Sequence, residues 1–160
     1  MPHRFVMILV AVVLAAVSGR SDAADAKRPR KEYASPQEML NAVPPEVMPL
    51  PKGKWTAVQI EATNAKLKAS VVGQPASISF KVRTIDKTGD GRRRIIAEKI
   101  DVRGEATFQH AYFTEDKVAL LAKVKAGEVI RVTGTVSGCY IDSKGPFFQV
   151  VLSDCALPNK

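Results

Sequence analysis

The sequence predicts an all-β domain with one or two short helices, in which five strands form a barrel that follows an N-terminal extension. From residue 77 onward, apolar and polar side chains alternate with the period of two that half-buried strands show. Turn-forming residues separate these segments, and one amphipathic helical segment interrupts them at 115–125. The chain has 160 residues, 46% hydrophobic and 25% charged, which is the composition of one ordinary globular domain and excludes wholesale disorder, a collagen-like repeat and a dense disulfide scaffold.

Residues 1–23 have the pattern of a Sec-type secretory signal peptide. Arg4 precedes an uninterrupted apolar run of 13 residues, 5–17, and small residues occupy positions 21 and 23. The run is shorter than the roughly 20 residues of a spanning helix, so we expect cleavage after Ala23 and no membrane span afterwards. No Cys lies near the cleavage site, which argues against a lipoprotein anchor. We therefore expect an exported bacterial protein, periplasmic or extracellular.

Residues 24–54 are predicted to form a basic tail, a short helix and a proline-rich segment. The tail, 24–34, is rich in Lys and Arg and poor in apolar residues, which is typical of a solvated segment. Ser35 and Glu38 have the spacing of a capping box, with Pro36 at the first helical position, so a short helix is expected to about Val43. Four prolines then predict an extended run over 44–54.

Residues 55–160 are predicted to form the barrel with added N-terminal strands. The added strands are 56–63 and 66–72, which would cover an edge or extend the sheet. The barrel strands are 77–85, 94–102, 106–113, 128–136 and 147–153. The turn formers of 86–91 join the first two as a hairpin. Thr114 is expected to cap a helix over about 115–125, which Gly127 ends.

Three strands, one helix and two strands, in that order, form the OB-fold, a five-stranded Greek-key barrel (β-β-β-α-β-β) whose helix covers one end. The residues also resemble the tRNA_anti-like OB-fold domains over roughly 77–155. The resemblance rests on Phe113-Thr114-Glu115, the helix and Lys125-Ala126-Gly127, then Val132-Thr133-Gly134-Thr135-Val136 and Leu152-Ser153-Asp154-Cys155. It implies a barrel with kinship to anticodon-binding domains, and it implies no active site.

OB barrels bind ligands across their second and third strands and between the loops that join strands one to two and four to five. In this chain those loops hold basic and aromatic side chains. They are Lys87, Arg92, Arg93 and Arg94 in the first loop, and Tyr140, Lys144 and Phe147 in the second. Cations suit phosphate groups and rings suit base stacking. An alternative is that the arginines form only a solvated hairpin end and that the rings pack in the core.

The charge supports an anionic partner. The 24 Lys and Arg against 16 Asp and Glu give +8, and removal of residues 1–23 leaves 22 basic and 15 acidic side chains, or +7. We expect a non-enzymatic, monomeric binding or accessory protein without a cofactor, holding an anionic polysaccharide, a lipid headgroup or a nucleic acid on the 86–94 and 140–147 loops. Export disfavours nucleic acid. The alternative is a structural or protein–protein interaction module that contacts an envelope protein through residues 35–54.

The sequence contains no catalytic or metal-binding motif. Asp86-x-Thr88-x-Asp90-Gly91 is similar to the start of a calcium loop, but the twelfth position is Ala97 instead of the required bidentate Glu, so a turn is predicted. His110 is the one His after residue 23, and no Ser or Cys motif accompanies it.

Cys139 and Cys155 leave two alternatives open. An exported chain with two cysteines is typical of one disulfide. If the turn is centred near 144–145, however, Cys139 lies opposite about residue 150, and Cys155 is then roughly 17 Å further along the strand. A disulfide requires Cα atoms within about 7 Å. A bend after Leu152 or a bulge would permit the bond, and regular strands would leave both thiols free.

Overall fold

The computed structural model describes residues 30–44, 55–103, 105–142 and 147–158. Several predictions fall outside these residues: the signal peptide 1–23, the first part of the basic tail, residues 45–54 of the proline-rich segment, and Lys144.

Five strands close into a barrel, and the predicted OB-fold is confirmed. The strands are β1 (Pro75–Lys87), β2 (Arg93–Ala97), β3 (Ile100–Val102), β4 (Glu105–Phe113), β5 (Val129–Ile141) and β6 (Phe147–Ala156), of which β3 is a short addition beside β4. Their order is β2-β1-β5-β6-β4-β3, and pairing of β2 with β4 closes the barrel. β4 and β6 run parallel, whereas the other neighbours are antiparallel.

β1 serves both halves of the barrel. Its first part pairs with β5, from Pro75 to Lys81, and its second part pairs with β2. A register shift between Val82 and Thr84 marks the change of partner, as a bulge commonly does where a strand bends. The segment predicted as one strand over 94–102 is divided into β2 and β3 at Glu98 and Lys99, where the Glu98 N–H donates to the Lys81 carbonyl at 2.7 Å.

The end of the predicted tail is docked on the barrel rather than solvated. Tyr33 is 2% exposed, and it forms an isolated parallel bridge with Ala76. The predicted helix start is present: α1 is Pro36–Leu40, and the Ser35 hydroxyl accepts a hydrogen bond from the Glu38 N–H at 3.2 Å. The helix ends earlier than predicted, but the chain remains packed through the buried Val43.

The prediction of two strands over 56–63 and 66–72 is wrong, because this segment is one helix, α2 (Ala57–Ser70). Thr56 and Gln59 form a full capping box: the Gln59 N–H donates to Thr56 Oγ1 at 3.3 Å, and the Thr56 N–H donates to Gln59 Oε1 at 3.0 Å. Alternating Val58 and Ile60 resembled a strand, but alanines and long charged residues with high helix propensity follow them.

The helix predicted over 115–125 is shorter. A 3₁₀ turn, Glu115–Lys117, leads into α3 (Val118–Leu121), and Leu121 is buried. The Thr114 side chain makes no capping hydrogen bond to the backbone, because its hydroxyl donates to the Asp116 carboxylate instead. Among the described residues, no helix has both the length and the apolar character that a bilayer crossing requires.

Candidate ligand-binding face

A row of rings lies on the outside of the barrel, along β4. The inward side chains of this strand, Thr107, Gln109, Ala111 and Phe113, are buried. The alternating positions Phe108, His110 and Tyr112 therefore face outward, and each is half-buried.

Two further rings come from the neighbouring strands. Phe147 begins β6, and its ring meets that of Phe108 edge to face, with the centroids 5.1 Å apart and the planes at 71°. Tyr140, on β5, is 37% exposed, while the residues on either side of it are buried. Its hydroxyl donates to Gln149 Oε1 at 2.8 Å, across the β5–β6 ladder. We call Phe108, His110, Tyr112, Tyr140 and Phe147 the aromatic face.

Two of the predicted arginines lie over Tyr112. Arg94 pairs with Tyr112 in the β2–β4 ladder. The guanidinium carbons of Arg92 and Arg94 are 5.0 and 6.0 Å from the centre of the Tyr112 ring, which is cation–π range. Arg92 and Arg94 therefore contact the ring of Tyr112 as well as solvent.

Each of these arginines also forms an ion pair with an aspartate. The Asp86 carboxylate accepts hydrogen bonds from Arg94 Nε at 3.1 Å and from Arg94 Nη2 at 2.6 Å. The Asp90 carboxylate accepts a hydrogen bond from Arg92 Nε at 2.7 Å and lies 2.6 Å from Arg92 Nη2. The hydrogen bond from Arg94 lowers the pKa of Asp86, and the hydrogen bonds from Arg92 and Thr88 lower the pKa of Asp90 to about 2. Both carboxylates are therefore ionised at neutral pH.

The third arginine lies on the other side of β2. Arg93 pairs with Phe113, whose side chain is in the core, and with Lys87 on β1. The structure thus divides the predicted cluster: Arg92 and Arg94 join Tyr112, while Lys87 and Arg93 face each other across the ladder. Within the described ranges, neither Lys87 nor Arg93 takes part in an ion pair.

The loop between β1 and β2 is a tight turn, as predicted. The Thr88 N–H donates to the Arg92 carbonyl at 2.9 Å, and the Gly91 N–H donates to the Thr88 carbonyl at 3.0 Å. Gly91 has a φ of 87°, a conformation that glycine adopts without strain. Across the part of the chain that the structure describes, no three His, Cys, Asp or Glu side chains are grouped to hold a metal ion.

The two predicted loop clusters lie at opposite ends of β4. Arg94 is beside Tyr112 at one end, and Phe147 is beside Ala106 at the other, six residues or roughly 20 Å away along the strand. Phe108 and His110 bridge this gap. The sequence prediction of the site missed Phe108, His110 and Tyr112, although their period of two was visible. It could not assign the outer face, because the opposite face of the same strand also carries a ring, Phe113, and polar residues.

His110 occupies the middle of the row and is neutral at neutral pH. Burial lowers its pKa, and the Arg94 guanidinium lowers it further, while Asp86 acts in the opposite direction. The centre of the face therefore presents an uncharged ring.

Both cysteines are free thiols in this structure, and both are buried, with exposed fractions of 3% for Cys139 and 2% for Cys155. Cys139 pairs with Val150, as the turn position predicts, and β6 continues to Ala156. The two residues thus lie five positions apart along paired strands. Burial raises the pKa of each thiol to about 12, so both are protonated and unreactive at neutral pH.

The comparisons with known proteins found similar solved structures, but no matching family model and no curated protein that matches at a significant level. A crystal structure of a candidate nucleic acid-binding lipoprotein from Klebsiella pneumoniae is similar, with 16% identity and a TM-score of 0.47, over 89% of this chain and 100% of that one. Mitochondrial single-stranded DNA binding proteins from S. cerevisiae, in two crystal forms, cover 54% of this chain with 14% and 16% identity and TM-scores of 0.37 and 0.33, over 96% and 97% of their own chains. At these identities and scores the similarities carry no argument about function.

Proposed function

We propose that this chain is a non-enzymatic binding protein that holds a single-stranded nucleic acid along the aromatic face. The observation that carries the proposal is the row of Phe108, His110 and Tyr112 on the outside of β4. Residues on one face of a strand are about 6.6 Å apart, close to two base-stacking steps of about 3.4 Å. Each position of the row can therefore contact one base of an extended, unstacked strand, Phe108 and His110 through their rings and Tyr112 together with the guanidiniums that lie over it.

The ion pairs favour a ligand with rings over a simple polyanion. Asp86 and Asp90 already neutralise the two arginines over Tyr112. A sulfated or phosphorylated chain without planar rings would find little net positive charge there. A nucleic acid strand would gain from base stacking on the rings.

Export remains part of the proposal, on the pattern of residues 1–23. The nucleic acid would then be encountered outside the cytoplasm. The alternative of an envelope-interaction module has less support, because Met39, Leu40 and Val43 of its expected contact segment are buried in the protein's own core.

Alanine substitution of the rings tests the proposal. We expect Tyr112→Ala and Phe108→Ala each to weaken binding of a fluorescent oligo(dT) by about 5- to 150-fold, because stacking of one base is worth about 1–3 kcal/mol. Fluorescence anisotropy at low salt measures the affinity, and circular dichroism checks the fold. Val129→Ala is the control, since Val129 is an exposed apolar side chain of β5 outside the aromatic face.

Three results would contradict the proposal. The first is an unmodified protein that does not bind oligo(dT), and the second is a pair of ring variants that bind it as well as the Val129→Ala control does. The third is equal competition by a neutral polysaccharide or by heparin, which would assign the face to a carbohydrate instead.

A further inference from the structure

We propose that Asp86 and Asp90 determine the ligand selectivity of the aromatic face, by excluding polyanions that lack planar rings. This inference rests on the proposed function, because it concerns the same site. It assigns a role to the two carboxylates that pair with Arg92 and Arg94.

Asp86 occupies the edge of Arg94 that a phosphate would use. The Nε and Nη2 donors of a guanidinium form the fork that binds carboxylate or phosphate with two hydrogen bonds. Both donors of Arg94 are directed to Asp86, at 3.1 and 2.6 Å. A phosphate that approaches this edge must displace a carboxylate that already satisfies it.

Asp90 blocks Arg92 in the same way, and the turn holds it in place. Besides Nε and Nη2 of Arg92, Asp90 accepts hydrogen bonds from the Thr88 hydroxyl and, at 3.3 Å, from the Arg92 backbone N–H. This carboxylate therefore has donors from the side chain it neutralises and from the turn that positions it. Its pKa of about 2 shows that protonation does not release Arg92 at physiological pH.

The two pairs leave the guanidiniums available for stacking. Each one lies over the Tyr112 ring, at 5.0 and 6.0 Å from its centre, while an aspartate neutralises its charge. Two positive and two negative side chains around Tyr112 sum to no net charge. A ringless polyanion therefore gains little at this end of the face, whereas a base gains contact with an ordered stack.

The experiment replaces both carboxylates with amides of the same shape, as Asp86→Asn with Asp90→Asn. We expect this variant to bind inorganic polyphosphate and a heparin oligosaccharide at least about tenfold more tightly than the unmodified protein does. We also expect its oligo(dT) affinity to depend more steeply on salt, by about 0.7 in the log–log slope for each guanidinium that gains a phosphate. The matched control is Glu61→Gln with Asp116→Asn, which removes two negative charges from α2 and the 3₁₀ turn.

The inference is overturned if the Asp86/Asp90 variant differs from this control neither in polyanion binding nor in salt slope. This outcome is distinct from a failure of the proposed function. The proposed function fails if the unmodified protein does not bind oligo(dT), regardless of how tightly it binds polyphosphate. The single variants Asp86→Asn and Asp90→Asn, each checked by thermal unfolding, supply the same comparison if the double variant does not fold.

Discussion

Tyr112 is the residue on which the interactions of the aromatic face converge. Two guanidiniums lie over its ring, and two aspartates hold those guanidiniums. The sequence predicted the arginines of this cluster and a turn with acidic residues beside them. It could not predict the pairing with Tyr112, which lies on another strand and meets Arg94 only through the β2–β4 register. The sequence prediction also placed Arg93 in one cluster with Arg92 and Arg94. Consecutive residues of a strand point to opposite faces, so Arg93 and Arg94 cannot share one.

The burial of His110 predicts how the stability of the protein depends on pH. Its pKa is lowered in the folded protein by burial and by Arg94, whereas an unfolded chain has a His pKa of about 6.5. The folded state therefore binds fewer protons between these two values, and stability is lost as pH falls below about 6.5 toward the folded pKa. Asp86, with its lowered pKa, stays ionised through this range.

We expect the free energy of unfolding, measured by urea titration, to decrease from pH 7 to pH 5 in the unmodified protein. His110→Gln should make the change smaller, because the titrating ring is gone. An unchanged slope in this variant would show that burial of His110 is not the source of the pH dependence.

Helix α2 is the element whose role the sequence concealed most. It packs against β5, and Asn64 bonds to the Ile141 backbone as a neighbouring strand would. Asn64 Oδ1 accepts from the Ile141 N–H at 2.7 Å, and Asn64 Nδ2 donates to the Ile141 carbonyl at 2.9 Å. The helix thereby occupies a strand edge that would otherwise be open to pairing with another chain. The barrel strands were predictable because burial of one face makes apolar and polar side chains alternate. Helix α2 buries few of its residues, chiefly Thr63 and Leu67, and so its sequence has no strong apolar stripe of helical period.

Asn64→Ala should reduce the free energy of unfolding by about 1–3 kcal/mol, because it leaves a partly buried N–H and carbonyl of Ile141 without their partner. The higher helix propensity of Ala offsets a few tenths of this. Urea titration measures the difference. Lys66→Ala, an exposed position of the same helix, should stay within about 0.5 kcal/mol. Equal effects of the two substitutions would show that the Asn64 contact contributes nothing.

For the molecule as a whole, the order of elements was enough to predict the barrel. Few topologies accommodate three strands, a helix and two strands with alternating inward residues. Whether Cys139 and Cys155 form a disulfide could not be decided from the sequence. Export favoured the bond, whereas the strand register placed the two residues too far apart. In the β5–β6 ladder Cys139 pairs with Val150, and the two register shifts between Thr133 and Gly138 do not bring Cys155 opposite Cys139; both thiols lie inside the protein.

Neither thiol should react with Ellman's reagent in the native protein, and both should react in guanidinium chloride, because burial raises the pKa of both to about 12. The unfolding temperature should be the same with and without a reducing agent. A lower unfolding temperature under reduction, or a thiol count of zero in denaturant, would instead demonstrate a disulfide.

The parallel pairing of β4 with β6 also has a consequence for folding kinetics. Residues 106–111 pair with residues 147–152, so this ladder joins parts of the chain separated by α3 and all of β5. Such non-local contacts give a high contact order, and barrels of this kind fold in about milliseconds to seconds rather than microseconds. The contact between Phe108 and Phe147 spans this ladder. The complete aromatic face should therefore form only when the barrel closes, so that nascent or partly folded chains lack the proposed ligand site.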